Sequence, residues 1–371
     1  MLQIERVTAV RDLIPLKEEW DRLVAHSLNP DLYVTHEWVS LWCEHFVKDG
    51  ELCVLLVRDG HRLVGVAPLM RTTKTVKGLP VRQLGFLLNR CNVRGNFVIA
   101  PEQADECVSA ILDHLADARA EWDILSLYGM SDSSGVSETL MRLSFANHRR
   151  GWSVLPIATW ENAIVDLGGG WDAYFAAKTG HHRKRAKKEL QILESLGRLA
   201  FDRYDAPEQV EAYLDHFLGI EAQSWKVRHG ESLSERDEFK AFYREIIRRH
   251  AERQAWRAWV LKIDDRPMAT IFGLLYEGTL YAEKTTYVAG VDKASPGSGV
   301  IRHAIEQSFR EGLAKEIDLD QQTHFTSRWQ THTRRHHHVE VFNSSAYSRT
   351  LLGLKRLVRL WRGRRGTGAE S

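Results

Sequence analysis

Apolar residues recur at helical spacing over residues 12–26 (Leu13, Leu16, Trp20, Leu23, Val24) and over 35–48 (Trp38, Leu41, Trp42, Phe46), where Thr35 is placed as an N-cap. The pattern then turns strand-like over 52–58 and 62–70, two runs joined by Asp59-Gly60, a hairpin signal. A looser strand at 81–88 leads into a loop at 89–96 and a short strand at 97–99. Beyond it the pattern predicts a helix over 103–119, a strand over 122–128, a helix over 134–148 and a strand over 152–157. The second half repeats this order. Helices are predicted over 206–225 and 235–253, and strands over 256–263 and 267–276, paired through Asp264-Asp265. A third strand covers 279–287, followed by a glycine-containing loop, a helix over 299–312, a strand over 316–320, a polar stretch over 321–336 and a strand over 339–342.

Both halves therefore predict helix, helix, three strands, helix, strand, helix, strand. This is an internal repeat of mixed α/β units. The expected division is an N-terminal domain over 1–165, a C-terminal domain over 166–345 and a tail over 346–371.

The halves differ before their third helix. The first has Val98-Ile99-Ala100-Pro101-Glu102, with no glycine pair. The second has Ser295-Pro296-Gly297-Ser298-Gly299-Val300 opening a helix after a strand. First-turn N–H groups have no intrahelical partner and the helix dipole favours an anion there. Gly297 and Gly299 are expected to let backbone approach a ligand. The second domain is thus expected to hold a phosphate-bearing cofactor, and the first to be structural or substrate-shaping.

Composition narrows the class. With 371 residues, 43% hydrophobic and 27% charged, the chain is expected to be globular. A net charge of +2 does not mark a nucleic-acid binder. The twelve tryptophans are expected in cores. The four cysteines form no C-x-x-C pair, and the start shows no signal-peptide pattern, so a cytoplasmic protein with reduced thiols is expected. Charge is local. Residues 183–188 hold five Lys/Arg, on a helix predicted to run unbroken over 171–196 and placed to contact phosphate. Residues 349–365 hold seven and no acid, with Leu351, Leu354, Val358 and Trp361 on one stripe. That tail is a candidate peripheral contact with an anionic membrane at its inner face. His332, His336, His337 and His338 lack the spacing of a metal site, so no metal is expected.

The element order resembles the acyl-CoA N-acyltransferase (GNAT) fold in tandem, in a Fem-like arrangement. The chain resembles the CelD-like acetyltransferases of cellulose and exopolysaccharide biosynthesis, relatives of the Fem-type aminoacyl transferases. The resemblance rests on Glu19-Trp20 through Thr35-His36-Glu37-Trp38, on Gly65-Val66-Ala67-Pro68-Leu69, and on Arg183-Lys184-Arg185. It continues in Glu221-Ala222-Gln223-Ser224-Trp225-Lys226, in Ser295-Pro296-Gly297, and in Ile317-Asp318-Leu319-Asp320 running to Trp329. Two positions depart from the family pattern: Ala294 where the pyrophosphate loop has Gln or Arg, and Thr326 where relatives have a lysine.

The resemblance implies direct transfer from acetyl-CoA or another acyl-CoA to an amine or hydroxyl of a sugar, polysaccharide precursor or similar polar acceptor. The cofactor contacts would be Ser295, Gly297, Ser298, Gly299 and Val300, and the substrate contacts Glu221, Trp225, Lys226 and Trp329. Catalytic candidates are Glu283, Lys284, Asp318, Asp320 and His324. Among them Glu283, Asp320 and His324 are the candidate bases. Alternation places Glu283 and Lys284 on opposite faces of their strand, and Asp318 and Asp320 on one face of theirs. Two other readings stand beside this one: a Fem-like transferase using aminoacyl-tRNA, and a non-catalytic partner of a polysaccharide-synthesis machine.

Overall fold

The computed structural model describes residues 2–27, 30–48, 50–76, 78–132, 135–136, 138–140, 142, 151–230 and 232–366. The helix expected over 134–148 and the end of the tail fall largely outside them, as do the side chains of Asp292 and of 360–366. The chain divides into two compact units, one of residues 1–159 with 335–371 and one of 160–334. The expected boundaries gave 335–345 to the second half. In the structure that stretch pairs with a strand of the first unit and stays with it.

The first unit runs β1 (Gln3–Val7), α1 (Lys17–His26), α2 (His36–Phe46), β2 (Leu52–Asp59), β3 (Arg62–Val76), β4 (Leu79–Phe86), β5 (Val98–Ile99), α3 (Ala104–Asp117) and β6 (Ile124–Ser131). The start of β7 (Ser153–Asp166) follows. Thr35 does cap α2, accepting the N–H of Trp38 at 3.3 Å. The Asp59-Gly60 turn closes the β2–β3 hairpin, with Asp59 opposite Arg62.

The second unit takes up β7 at Trp160 and continues through α4 (Trp171–Ala177), α5 (Gly180–Ser195), β8 (Leu199–Tyr204), α6 (Val210–Glu221), α7 (Trp225–Arg228), α8 (Asp237–Glu252), β9 (Trp256–Ile263), β10 (Arg266–Tyr276), β11 (Thr279–Tyr287), α9 (Pro296–Glu311) and β12 (Glu316–Gln321). β13 (His332–Phe342) begins there and passes to the first unit, which ends in α10 (Ala346–Gly366). Asp264 and Asp265 both have positive φ, +47° and +65°, which suits the tight β9–β10 turn.

Strand order exposes the repeat. It is β1-β2-β3-β4-β6-β13 in the first unit and β8-β9-β10-β11-β12-β7 in the second. In each, antiparallel neighbours give way to one parallel pair, β4 with β6 and β11 with β12. In the second unit α9, α5 and α4 pack on one face of the sheet around Leu261, Ile271, Val300, Ile305 and Trp329. α6 packs on β10 and β11 and against α8. Trp20, Trp38, Trp42, Trp122, Trp256, Trp259 and Trp329 are fully buried, as large amphipathic rings in a core should be.

Two expectations change. The helix over 171–196 is broken, because Lys178 is extended and Thr179 caps a new helix, accepting the N–H of His182 at 3.2 Å. The basic tail is docked over its first turns. Leu351 and Leu352 are buried with Val81, Ile124, Leu155 and Phe342, and Ser348 Oγ donates to the Asp123 carbonyl at 2.6 Å. The apolar stripe assigned to a membrane therefore begins as core of the first unit; Leu357, further along, is exposed.

Candidate active site

The second unit opens a fork at its centre. β11 and β12 pair over only three residues, Thr279 with Glu316 to Tyr281 with Asp318. β11 then continues to Tyr287 paired with β10 alone. From Ala282 onward β11 and β12 no longer pair, and the two strands diverge there.

Glu283 lies just beyond the last β11–β12 pair and is buried to 7% exposure. The β10–β11 register slips here: Gly273 opposes Ala282 and Phe272 opposes Lys284, leaving Glu283 in a bulge. Bulges re-aim side chains beside functional sites. Strict alternation therefore does not hold, and Lys284 pairs with Phe272, its ammonium 5.9 Å from the Tyr243 ring.

At the closed end of the fork Asp318 is fully buried. Its Oδ1 accepts the Asp320 N–H at 2.9 Å and Asn162 Nδ2 at 3.3 Å, and Arg334 lies 3.7 Å from Oδ2. Arg334 also donates to Glu316 at 2.8 Å. Asp320 has φ +63° in a register break between Asp318 and Gln321. Asp318 is thus buried, and Asp320, at positive φ, is half-buried with its N–H held by the Asp318 carboxylate. His324 is exposed on the turn beyond β12.

Glu221 is fully buried, not presented to solvent. It accepts from Lys226 at 2.7 Å, from the Leu233 N–H at 3.1 Å and from Ser232 Oγ at 3.2 Å. Burial alone would raise its carboxyl, but Lys226 and these hydrogen bonds hold it below the ordinary value. Lys226 Nζ also donates to the Thr285 carbonyl of β11 at 3.2 Å, so the pair fastens the loop after α6 to the fork strand. Trp225 is exposed, its ring against His229.

The expected cofactor residues form the start of α9. Ser295 is left-handed (φ +53°) and precedes Pro296. Both glycines are closely packed on their open side. A Cβ on Gly297 would stand 3.1 Å from Tyr287 and 3.4 Å from Phe325; one on Gly299 would stand 2.8 Å from Leu193 and 3.1 Å from Leu261. Val300 is core. Ser298 Oγ donates to Glu189 at 2.9 Å and accepts from Arg328 at 3.0 Å. Arg185 and Arg328 complete the cluster on Glu189, at 2.9 and 3.1 Å. Burial would raise the Glu189 carboxyl, but these donors hold it low. An internal carboxylate thus answers the α9 N-terminus, beside a groove of about 100 Å³ lined also by Gly299, Arg302, His303 and Trp329. The Trp329 indole is buried against His182, at 4.7 Å between rings, and its carbonyl accepts from Lys178 at 2.8 Å.

The structure brings Glu221 and Lys226 to the β11 edge, and Ser298, Gly299 and Trp329 to one groove. It leaves Trp225 and His324 outside both. Pattern reasoning passed over Glu189, Asn162 and Arg328. Only Glu189 left a signal, an acid four residues after Arg185 and directly after the basic run. Among the described residues no group of three or more His, Cys, Asp or Glu is placed to hold a metal ion.

Buried titrating groups make a pH prediction. Burial and nearby cations push His182 and His303 each down to about 4. An unfolded histidine binds its proton near pH 6.5, so between about 6.5 and 4 the unfolded chain holds more protons and stability falls with pH. Glu189 and Glu221, held low when folded, extend the loss below about pH 4.5. Calorimetric Tm should fall steadily from pH 7 to 4, and the double variant His182→Phe, His303→Phe should flatten the upper part. A Tm that rises over this range contradicts the assignment.

Residues 180–325 match the Acetyltransf_6 family, described as Acetyltransferase (GNAT) domain. No curated protein sequence matches the chain. Among solved structures the fold is similar to FemX, at 13% identity and TM-score 0.55, covering 92% of this chain and 97% of that one. It is similar to L-PGS from Bacillus licheniformis, at 13% identity and TM-score 0.51, covering 92% and 95%. A tandem GNAT protein from the clavulanic acid biosynthesis pathway, solved without AcCoA, matches at 12% identity and TM-score 0.52, covering 93% and 99%. The fold is tandem GNAT-like, residues 180–325 form an acetyltransferase (GNAT) domain, and the chain is an acyltransferase-type enzyme.

Proposed function

We propose that the second unit transfers an acyl group from acyl-CoA to an amine or hydroxyl of a sugar, polysaccharide precursor or similar polar acceptor. The observation that carries this is the β11–β12 fork, with the buried Glu283 in the bulge just beyond the last β11–β12 pair. A thioester carbonyl laid in that fork would need its oxygen stabilised as it becomes anionic, the task of a preorganised donor in acyl transfer. Glu283 would take the acceptor's proton as nitrogen or oxygen attacks the carbonyl carbon. The tetrahedral intermediate would collapse with cleavage of the C–S bond, and the thiolate would leave and be protonated. The Gly297 and Ser298 amides, with Arg328, would hold the pyrophosphate once it displaces Glu189 from Ser298.

One observation favours a second reading, a Fem-like transferase fed by aminoacyl-tRNA. The α9 start is already answered by Glu189, and the exposed face of α5 carries Lys184, Lys187 and Lys188. A polyanion fits that face without entering the α9 start. Peripheral contact with an anionic membrane belongs to the proposal only for the tail beyond the docked turns, where Leu357 is exposed. Titrating the full chain with acetyl-CoA, and separately with an aminoacyl-tRNA, tests the donor. Micromolar binding of acetyl-CoA alone is expected; tRNA binding with none of acetyl-CoA assigns the second reading.

A further inference from the structure

The first unit has a fork of its own. β4 and β6 run parallel over Gln83 with Ile124 to Gly85 with Ser126, and then part. Where they part lies a cavity of about 360 Å³. That is within the roughly 300–1,000 Å³ of small-molecule sites.

Its walls are held in place before any ligand arrives. The loop after β4 is closed by two backbone bonds between Asn89 and Asn92, 3.0 and 3.2 Å long, and Asn92 Nδ2 donates to the Leu87 carbonyl at 2.8 Å. Gly129 of β6, at φ +85°, lets this loop lie directly on the strand: a Cβ there would stand 2.6 Å from the Arg94 Cα. The same glycine is skipped in the β6–β13 pairing, where His337 opposes Met130 and His338 opposes Tyr128. This bulge turns His338 into the cavity wall, its Nε2 3.1 Å from Ser126 Oγ and its ring 5.0 Å from that of Tyr128.

The lining chemistry selects a ligand class. Thr72, Gln83, Asn89 and Ser126 offer hydroxyls and amides that both donate and accept, and Phe86 and Tyr128 add aromatic faces. Among the described residues no acid lines the cavity, and the one formal charge in its lining is the exposed Lys74. Burial holds His338 below its ordinary value, which keeps it neutral near pH 7. A nucleotide phosphate is not served here. The helix that follows, α3, has Asp105 and Glu106 in its first turn, where they oppose an anion.

We infer that this cavity binds an uncharged, hydroxyl-rich ligand, a sugar unit, in the first unit. This inference rests on no part of the donor reading.

Saturation-transfer NMR on the full chain tests it, with N-acetylglucosamine, glucose and cellobiose as probes at about 10 mM, enough to populate a millimolar site. Thr72→Trp and Gln83→Trp each fill the cavity from adjacent, half-buried strand positions. Transfer to the ring protons of at least one sugar is expected, falling by about tenfold or more in both variants while their circular-dichroism melting stays that of the parent chain. Excess acetyl-CoA should leave the signal in place. No transfer to any of the three sugars, transfer untouched by both tryptophans, or competition by acetyl-CoA overturns the inference. None of these readouts uses acyl transfer, so failure of the donor reading is seen separately.

Discussion

Glu221→Ala should destabilise the second unit by about 3–5 kcal/mol, the usual consequence of removing one partner from a buried ion pair. The carboxylate is fully buried and satisfies three donors at once: Lys226, the Leu233 N–H and Ser232 Oγ. Alanine removes the carboxylate that an ammonium, an amide and a hydroxyl share, and leaves the buried ammonium without its counter-charge. Because Lys226 also holds the Thr285 carbonyl, the loop after α6 should loosen from β11. Urea unfolding read on the second unit's transition measures the loss. Pairing the change as Glu221→Leu with Lys226→Met should recover a good part of it, since both charges then leave together. A single-variant loss under about 1 kcal/mol would show that the pair is better solvated than its burial implies.

How much of this was legible beforehand follows from what periodicity records. The helices and hairpins of both halves have strong patterns, and so does the Asp264-Asp265 turn, because side-chain burial repeats at 3.6 or 2 residues. The edge strands β1 and β8 were missed. They are short, and their burial patterns, partly exposed over most positions, mark no core face. The break at Lys178–Thr179 was hidden because apolar spacing continues through it, while the capping bond that ends one helix and starts the next depends on φ and ψ. Element order carried the succession of strands and helix around the fork, but neither the fork nor the two bulges beside it. The slip at Glu283 arises between the hairpin strands β10 and β11 and the one beyond Asp318 between β12 and the distant β7, and neither register is carried by a single strand's sequence. Gly297 and Gly299 stand out in the sequence as positions of close backbone approach, but the neighbours at their open sides, Tyr287 and Phe325 for one and Leu193 and Leu261 for the other, come from distant parts of the chain that local pattern does not record. Leu351 was read as a lipid-facing residue because an amphipathic stripe looks the same whether protein or membrane covers it.

Glu283→Gln should lower the rate of acyl transfer by about 10²–10⁴-fold, the range expected for a general base, while leaving acetyl-CoA affinity unchanged. Glutamine keeps the size of the side chain and its place in the bulge, so donor binding in the fork should survive. Asp318→Asn should behave differently, because Asp318 is tied to Arg334, Asn162 and the Asp320 amide; its loss should reduce stability as well as rate. The direct measurement is CoA thiol release from acetyl-CoA with glucosamine as acceptor, set beside calorimetric binding of acetyl-CoA to the same proteins. Glucosamine-dependent release by the parent chain, with a collapse in rate and intact binding in Glu283→Gln, is the result predicted. Unchanged release in that variant, or no acetyl-CoA binding by the parent chain, would contradict acyl-CoA chemistry at the second unit's fork.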